Sequence, residues 1–309
     1  MNSTTEIIDA FRAAMREAGI ETPDSIRADG KLHRFHIAGH KHGSLNGAYK
    51  LHLDGIKPAG YFEDFKAGIK TNWKADGQAK PLTQAERQQM EARKRQSAQQ
   101  LQAKQQQAAA RAFKLWEQAK EIKGRNHPYL LRKQVDAHRL RLLPVWSKRI
   151  KQDNVWITVT VKDVLLVPLV DTEAVFWNVQ AIFPEFERLL GRDKDFIAGG
   201  HTGGCFHVIG KPTTERIIAE GYATAATLHE ATGLQAYCAM SAGNLLAVAK
   251  AIRQARPNVK LVICADNDST QGNPGLTAAK AAARAVGGFL AIPPIAGDFN
   301  DYAAMEGGV

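Results

Sequence analysis

The chain has 309 residues, 44% of them hydrophobic, and a formal net charge of +10 at pH 7. This length and apolar content predict a globular protein with two or three domains. No run of about 18 apolar residues occurs, and the first residues mix polar, acidic and apolar side chains. A membrane span, a signal peptide and a membrane partner are therefore not expected, and the sequence predicts a cytoplasmic protein.

The positions of the cysteines and of the charged residues indicate which kinds of site and of binding partner to expect. Cys205, Cys238 and Cys264 lie far apart and form no CxxC pair, so neither a zinc ribbon nor a disulfide framework is expected. Residues 215–309 contain seven Lys/Arg and eight Asp/Glu, a charge of −1, which leaves +11 for the chain before them. A basic region beside an acidic one suggests nucleic acid held against a metal site.

The first 75 residues predict a small α+β module. Ile7, Phe11 and Met15 recur at a spacing of four, as in an amphipathic helix, and a glycine follows them. Alternating runs at residues 32–37 and 48–53 predict antiparallel strands. The turns between them are predicted at Gly39, Gly43, Asn46-Gly47 and Asp54-Gly55.

Five histidines fall in this module, namely His33, His36, His40, His42 and His52. Histidines that alternate with apolar residues on strands are typical of half-exposed sheet positions, where a protonated ring also meets phosphate. A histidine-based metal site is the alternative interpretation.

Residues 76–125 predict a basic, Gln/Ala-rich helical linker. Thr83 and Glu86 have the spacing of a capping box, and a long helix is predicted from there to about residue 122. Residues 80–125 carry eleven basic and four acidic side chains, but large apolar residues are nearly absent from the first half of the helix. This pattern is typical of a solvated connector, and direct contact with DNA is the alternative.

Residues 126–211 predict a β-rich subdomain with a basic surface. Tyr129 and Trp146 lie among basic residues, a mixture that contacts phosphates and stacks on bases but also occurs on ordinary surfaces. The candidate contacts are Arg132, Lys133, Arg139, Arg141, Lys148 and Arg149. Strands are predicted at residues 155–161, 164–170, 176–182 and 205–209, with turns at Asp163, Asp171 and Gly199-Gly200.

Residues 212–309 alternate between strands and helices. Strands are predicted at residues 216–219, 234–239, 259–265 and 289–292, and helices at 223–231, 243–256 and 276–286. Strands separated by such helices form right-handed βαβ units. The sequence therefore predicts an α/β fold with a parallel four-stranded sheet and flanking helices.

Acidic residues follow the strands of this predicted sheet. Glu220 follows the first strand, and Asp266 and Asp268 follow the third, where alternate residues of an extended segment point the same way. The carboxyl ends of parallel strands meet at one edge, where sites form. Carboxylates that converge there repel one another unless a cation lies between them, and oxygen ligands suit Mg²⁺ or Mn²⁺.

A second acidic pair, Asp298 and Asp301, follows the last predicted strand. These residues would widen the site to two metal ions, as in enzymes of phosphoryl transfer. Aspartate after a buried strand is also common as a helix cap or turn residue, so a metal-free interpretation stays open for each position.

These motifs resemble the Toprim domain. The resemblance is carried by Glu220-Gly-Tyr-Ala-Thr224, Asp266-Asn-Asp268 with the loop Gly272-Asn-Pro-Gly275, and Asp298-Phe-Asn-Asp301. Upstream, residues 165–171, 179–182, 194–200 and 205–210 are similar to the subdomain that precedes Toprim in primases of plasmids and phages. Residues 54–62 and Trp73 are similar to the N-terminal module of those primases, so the resemblance covers most of the chain.

The resemblance implies a Toprim-domain DNA primase of the mobile-element type. Such an enzyme makes short RNA primers on single-stranded DNA from nucleoside triphosphates, during replication of a plasmid, phage or integrated element. Its fold would be a Toprim domain (212–309) preceded by the β-rich subdomain (126–211), the basic helix (76–125) and the α+β module (1–75). A separate replicative helicase is expected as a partner, because little sequence follows Asp301.

The resemblance also implies residue roles. Glu220 would be a general acid/base or metal ligand, and Asp266 and Asp268 would bind the Mg²⁺ (or Mn²⁺) that carries the nucleotide triphosphate. Lys194 is the candidate contact to template or nucleotide, with a solvated surface lysine as the alternative. Thr224 replaces the aspartate usual in chromosomal primases, and the N-terminal module lacks their zinc-binding cysteines, so zinc is not expected.

Two other functions stay open at this point. A Toprim nuclease would use the same carboxylates to hydrolyse phosphodiesters. A non-catalytic single-stranded-DNA-binding replication protein would keep the basic surface without using the carboxylates.

Overall fold

The computed structural model describes residues 3–40, 44–53, 57–65, 67–75, 83–152, 155–268 and 273–305, apart from the Glu86 side chain. The chain divides into two compact units, Met1–Gln99 and Gln100–Val309. None of the helices within the described ranges combines the length and the apolar character needed to cross a lipid bilayer.

The first unit packs one helix on an antiparallel sheet. Its elements are α1 (Thr4–Glu17), β1 (His33–Phe35), β2 (Gly47–His52), β3 (Ala59–Asp64) and β4 (Ile69–Lys74), with the strand order β1-β2-β3-β4. Ser3 starts α1 with a capping box. Ile7, Phe11 and Met15 are buried, and the Phe11 ring packs edge-on against the Phe62 ring. The predicted helix and antiparallel strands are confirmed.

The histidines of the first unit have separate partners. The His33 ring lies 2.7 Å from Asp29, and the His40 ring lies 3.6 Å from Asp64. Within the described ranges, no group of three or more His, Cys, Asp or Glu side chains is arranged to hold a metal ion. His42 and the turns predicted at Gly43 and Asp54-Gly55 lie outside the described residues.

The predicted long helix is present as α2 (Gln84–Gln118), and the boundary between the two units falls inside it. The carbonyl of Thr83 accepts the Arg87 N–H at 3.0 Å, and the Glu86 half of the predicted capping box lies outside the described side chains. A solvated connector is the wrong interpretation for the last turns. Ala112 is fully buried, and Trp116 packs with it in the core of the second unit, because apolar residues return there.

An antiparallel sheet forms the first part of the second unit. Its elements are β5 (Lys120–Glu121), α3 (Pro128–Lys133), β6 (Arg141–Gln152), β7 (Val155–Val170), β8 (Phe176–Glu187) and β9 (Arg192–Phe196), with the strand order β5-β6-β7-β8-β9. The turn predicted at Asp163 is wrong, because β7 continues through it. Asp163 has a positive φ of 53°, which aspartate tolerates, and Leu143–Val164 and Val145–Lys162 pair on either side.

A mostly parallel sheet forms the rest. Its elements are β10 (His207–Ile209), β11 (Glu215–Ala219), α4 (Tyr222–Thr232), β12 (Gln235–Cys238), α5 (Ala242–Ala255), β13 (Lys260–Cys264), α6 (Pro274–Val286), β14 (Phe289–Ala291) and α7 (Phe299–Met305), with the strand order β10-β12-β11-β13-β14. The four predicted parallel strands are confirmed as β11 to β14.

The sheet has one strand more than predicted. The strand expected at residues 205–209 of the β-rich subdomain is β10, which pairs antiparallel with β12. A bridge between Val170 and Phe206 also ties it to the end of β7. An apolar run does not reveal its pairing partner, so the sequence placed the strand in the wrong sheet.

Candidate functional site

The predicted carboxylates come together at the carboxyl edge of the parallel sheet. Glu220 follows β11, and Asp266 and Asp268 follow β13. Asn267 lies between the two aspartates and exchanges backbone hydrogen bonds of 2.8 and 2.9 Å with Gly297. This bridge holds the loop after β14, which carries Asp298, beside the loop after β13.

Gly297 is required for that bridge. Its φ is +118°, which L side chains rarely adopt, and a Cβ there would lie 2.8 Å from Asp301 Oδ2. Gly275 allows a second close approach, because its Cβ would lie 3.1 Å from the Asp266 carbonyl oxygen. Both glycines therefore let chain segments pack directly on the acidic loops.

The carboxylates share one electrostatic field. Burial raises the pKa of Asp266 to about 7, and the charges of Glu220, Asp298 and Asp268 add to this rise while Lys194 opposes it. Burial also raises the pKa of Glu220, with further contributions from Asp268 and Asp298. The acidic groups of three loops therefore interact, as the strand-end positions predicted.

Three groups around the carboxylates position or balance them. The backbone N–H of Ala242, at the start of α5, hydrogen-bonds Glu220 and lowers its pKa against the effect of burial. Thr224 Oγ1 donates to Asp298 Oδ2 at 3.1 Å, so a hydroxyl donor stands where another carboxylate would add negative charge. Lys194 reaches the same field from β9 of the antiparallel sheet, with Nζ 6.0 Å from the centre of the Tyr129 ring.

The donor set fits a hard divalent cation. Asp266 Oδ1 is buried and has no hydrogen-bond partner among the described atoms, an arrangement that costs free energy unless a ligand satisfies it. The surrounding donors are carboxylate oxygens, which Mg²⁺ and Mn²⁺ prefer. No three described acidic, His or Cys side chains already enclose a metal position, so a cation would have to draw them together.

The second acidic pair caps a helix. Asp298 Oδ1 accepts the backbone N–H groups of Asn300 and Asp301 at 2.7 and 3.0 Å, at the start of α7. Lys133 Nζ lies 3.3 Å from Asp301 Oδ1. The capping alternative is therefore present for Asp298, and metal binding by either residue stays a prediction.

Three of the candidate nucleic-acid contacts are already engaged by the protein. Lys148 Nζ lies 2.6 Å from Asp195 Oδ2, and Asp195 is only 4% exposed. The Arg141 guanidinium donates to the Trp116 carbonyl at 2.8 Å and stacks over the Trp116 ring. Arg132 donates to a backbone carbonyl of β8 at 3.2 Å. DNA binding by these residues stays a prediction.

Of the other three candidates, Arg139 and Arg149 are exposed, whereas Lys133 is half-buried and paired with Asp301. Arg149 is stacked over the Trp156 ring at 5.2 Å, and Trp156 is 60% exposed. Arg139 is exposed and lines a cavity beside β10. Lys133 points to Asp301 and so lies close to the acidic loops.

Comparison with known proteins gives a family for the part of the chain that holds these carboxylates. Residues 215–308 match the Toprim domain. This part of the chain is a Toprim domain. The resemblance stated from the motifs is thereby confirmed for this region.

The chain is also similar to two DNA primases named TraC from Escherichia coli. Each relative is 32% identical to this chain, and the match covers 95% of this chain. The chain spans only 27% of one relative and 20% of the other.

Solved structures of primases are similar as well. The catalytic domain of DnaG primase bound to single-stranded DNA has a TM-score of 0.45 and 12% identity, covering 66% of this chain and 77% of that one. A DNA primase domain from Pseudomonas aeruginosa has a TM-score of 0.41 and 13% identity, and the match covers 58% of this chain and 66% of that one.

The sequence missed two residues that build the Toprim site. Asn267 was seen only as the residue between two aspartates, although its side chain also donates to the Ile295 carbonyl at 3.0 Å. Ala242 acts through its backbone, which leaves no side-chain signal. Ser241, which precedes it, is the N-cap residue of α5, and serine at that position is the residue type that could have indicated a helix start with free N–H groups.

Proposed function

We propose that this chain carries the priming activity of a DNA primase, namely DNA-templated synthesis of short RNA primers on single-stranded DNA. The observation that carries the proposal is the acidic edge of the Toprim domain, where Asp266 Oδ1 is buried without a partner and Lys194 enters from the preceding sheet. The similarity to the TraC primases over 95% of the chain supports the same reaction.

Each residue has a role in this proposal. Asp266 and Asp268 would hold Mg²⁺ (or Mn²⁺), with Asp298 and Asp301 as further ligands for a second ion. The cation would supply charge neutralisation of the triphosphate and activation of the primer 3′-hydroxyl. Glu220, whose pKa is raised, is suited to exchange a proton with the attacking hydroxyl. Lys194 lies where it would contact a nucleotide or template phosphate.

The template would reach the site over the basic sheet that precedes it. Arg149 and the exposed Trp156 offer a charge for phosphate and a ring for an unstacked base, while Lys133 and Arg139 lie nearer the Toprim domain. Arg132, Arg141 and Lys148 already have partners within the protein, so they would have to contact DNA in addition to those partners.

The setting of the reaction follows from its substrates. A cytoplasmic location is part of the proposal, because its substrates would be a single-stranded template and nucleoside triphosphates. A separate replicative helicase would expose the template, and the TraC relatives favour a plasmid among the mobile elements that also include phages.

The test is primer synthesis on a single-stranded DNA template with labelled nucleoside triphosphates and Mg²⁺. We expect oligonucleotides that depend on both template and nucleotides, with synthesis lost in Asp266→Asn and retained in Asp9→Asn, a matched change on the exposed side of α1. Shortening of the DNA without nucleotides would replace the proposal with nuclease activity. Binding of DNA with no reaction in any divalent metal would leave a non-catalytic binding protein.

A further inference from the structure

A cavity of about 370 Å³ lies at the end of the Toprim sheet opposite to the carboxylates. Arg216, near the start of β11, and Gln235, the first residue of β12, line it, whereas Glu220 follows the far end of β11. Phe206 and Ile252 contribute apolar walls. The cavity is therefore separate from the acidic edge, and its volume falls within the range of small-molecule sites.

Arg216 brings a buried positive charge to this cavity. It is 8% exposed; its Nε donates to the Thr213 carbonyl at 3.1 Å and its Nη1 donates to the Tyr237 hydroxyl at 2.6 Å. The Tyr237 hydroxyl donates in turn to Gln235 Oε1 at 3.0 Å. These partners are neutral, so they orient the guanidinium without balancing its charge.

Asp171, the acidic residue that lines the cavity, does not balance this charge either. Its oxygens accept the backbone N–H groups of Glu173 and Val175 and the indole N–H of Trp177. Among the residues that the structure describes, no acidic side chain forms an ion pair with Arg216. A buried, unpaired charge costs several kcal/mol, which an oxyanion in the cavity would offset.

The mouth of the cavity adds more positive charge. Arg139 and Arg256 are both exposed and both line it. Arginine binds phosphate through paired N–H groups. Most of the remaining wall is apolar, and its polar members are Asp171, Thr172, His207, Gln235 and Tyr237. The combination fits a ligand with an anionic group at one end and a planar apolar body at the other.

We propose that this cavity binds a small organic phosphate of nucleotide size. Its phosphate pairs with Arg216 and Arg256, and its ring lies against Phe206 and Ile252. The proposal does not depend on primer synthesis, because none of these residues belongs to the acidic edge.

The cavity and the acidic edge lie at opposite ends of one helix. Ala242 begins α5 and binds Glu220, while Ile252 and Ala255 near its end line the cavity. A helix of this length spans about 20 Å, so the two ligands would not overlap.

The experiment is calorimetric titration of the full chain with adenosine monophosphate in EDTA, which suppresses metal-dependent binding at the acidic edge. We expect binding by the unchanged protein and about tenfold to a hundredfold weaker binding by Arg216→Met, with a smaller loss in Arg256→Gln. Arg284→Gln, an exposed arginine outside the cavity, and Asp266→Asn should both bind normally. Adenosine, which lacks the phosphate, should not bind.

Several outcomes would overturn the proposal. They are no binding by the folded, unchanged protein at millimolar ligand, unchanged binding by both arginine variants, equal binding of adenosine, or loss of binding in Asp266→Asn. Circular dichroism checks that Arg216→Met is folded, and Arg256→Gln carries the test if it is not, because Arg256 is exposed. Priming by the same proteins is measured separately, so failure of either proposal is distinguishable from failure of the other.

Discussion

The two sheets of the second unit differ in whether their charged side chains have partners within the protein. In the antiparallel sheet, Lys148 is paired with Asp195 and Arg141 is satisfied by the Trp116 carbonyl and ring. At the acidic edge of the Toprim sheet, Asp266 is surrounded by other carboxylates and one of its oxygens has no partner among the described atoms. Lys148 and Arg141 therefore have partners within the fold, whereas Asp266 lies among like charges with one oxygen unsatisfied.

Charged residues of this protein differ in whether the fold already supplies their partners. A charge whose partners are already in the fold stabilises the fold, and its removal should change the free energy of unfolding. A charge held without a partner costs stability, and its removal should stabilise the fold while it weakens ligand binding or catalysis.

The largest expected effect comes from Asp266→Asn. We expect primer synthesis to fall by at least about 10²-fold, because a charge-stabilising group at the reacting centre is lost. In EDTA at pH 8 the same variant should be more stable by about 2 kcal/mol. The rise of the Asp266 pKa from 3.8 to about 7 corresponds to roughly 4 kcal/mol, and we halve this value because solvent reaches part of the carboxylate. Urea denaturation measures the stability. A variant that is both inactive and less stable would mean that Asp266 is structural.

The carboxylate positions were predictable because they depend on local chain order. Buried apolar runs alternating with helices gave β11 to β14, and the edge of a parallel sheet follows from that order. The engagement of Lys148 was not predictable, because Asp195 lies on another strand, β9, which the sequence did not mark. Strand β6 was also missed, since its exposed faces are basic and its pattern resembles a surface loop.

The second prediction concerns His207, which lies between the two regions. Its Nε2–H donates to the His138 carbonyl at 2.9 Å, and burial lowers its pKa from 6.5 to about 4. The unfolded chain therefore binds a proton below pH 6.5 that the folded chain does not. Stability should be intact above pH 6.5 and fall by roughly 3 kcal/mol as the pH drops to 4.

The matched variant for this prediction is His207→Gln. Glutamine keeps a donor for the His138 carbonyl but does not titrate, so the loss of stability between pH 6.5 and 4 should become smaller by about the amount that His207 contributes. Urea midpoints measured across this pH range give the slope. An identical slope in both proteins would show that His207 is accessible to protons in the fold.

The third prediction tests whether Lys148 belongs to structure. Lys148→Met should lower the free energy of unfolding by about 2 kcal/mol. Asp195 would remain buried, and Arg192, at 3.3 Å, would be its one remaining cationic partner among the described residues. Adding Asp195→Asn should restore most of that stability by removing the buried charge. If Lys148→Met left stability unchanged and weakened DNA binding, Lys148 would be a phosphate contact after all.

The smallest expected effect is that of Arg149→Gln. Strands β6 and β7 pair as far as Gln152 and Val155, whereas β8 pairs with β7 only over Leu165–Val170, so the end of this hairpin extends beyond the sheet. Arg149 and the exposed Trp156 lie on that extension. We expect stability to stay within about 0.5 kcal/mol of the unchanged protein, as for most exposed substitutions.

The effect of Arg149→Gln should instead be seen in DNA binding. Affinity for a single-stranded oligonucleotide should fall a few-fold, and the slope of log affinity against log salt should decrease by about 0.7, the value for one phosphate contact. Fluorescence anisotropy at several salt concentrations measures both, with Arg284→Gln as the charge-matched control. Equal slopes for the two variants would mean that the hairpin does not touch DNA. If Arg149→Gln instead lowered the free energy of unfolding, Arg149 would stabilise the fold, as we expect of Lys148.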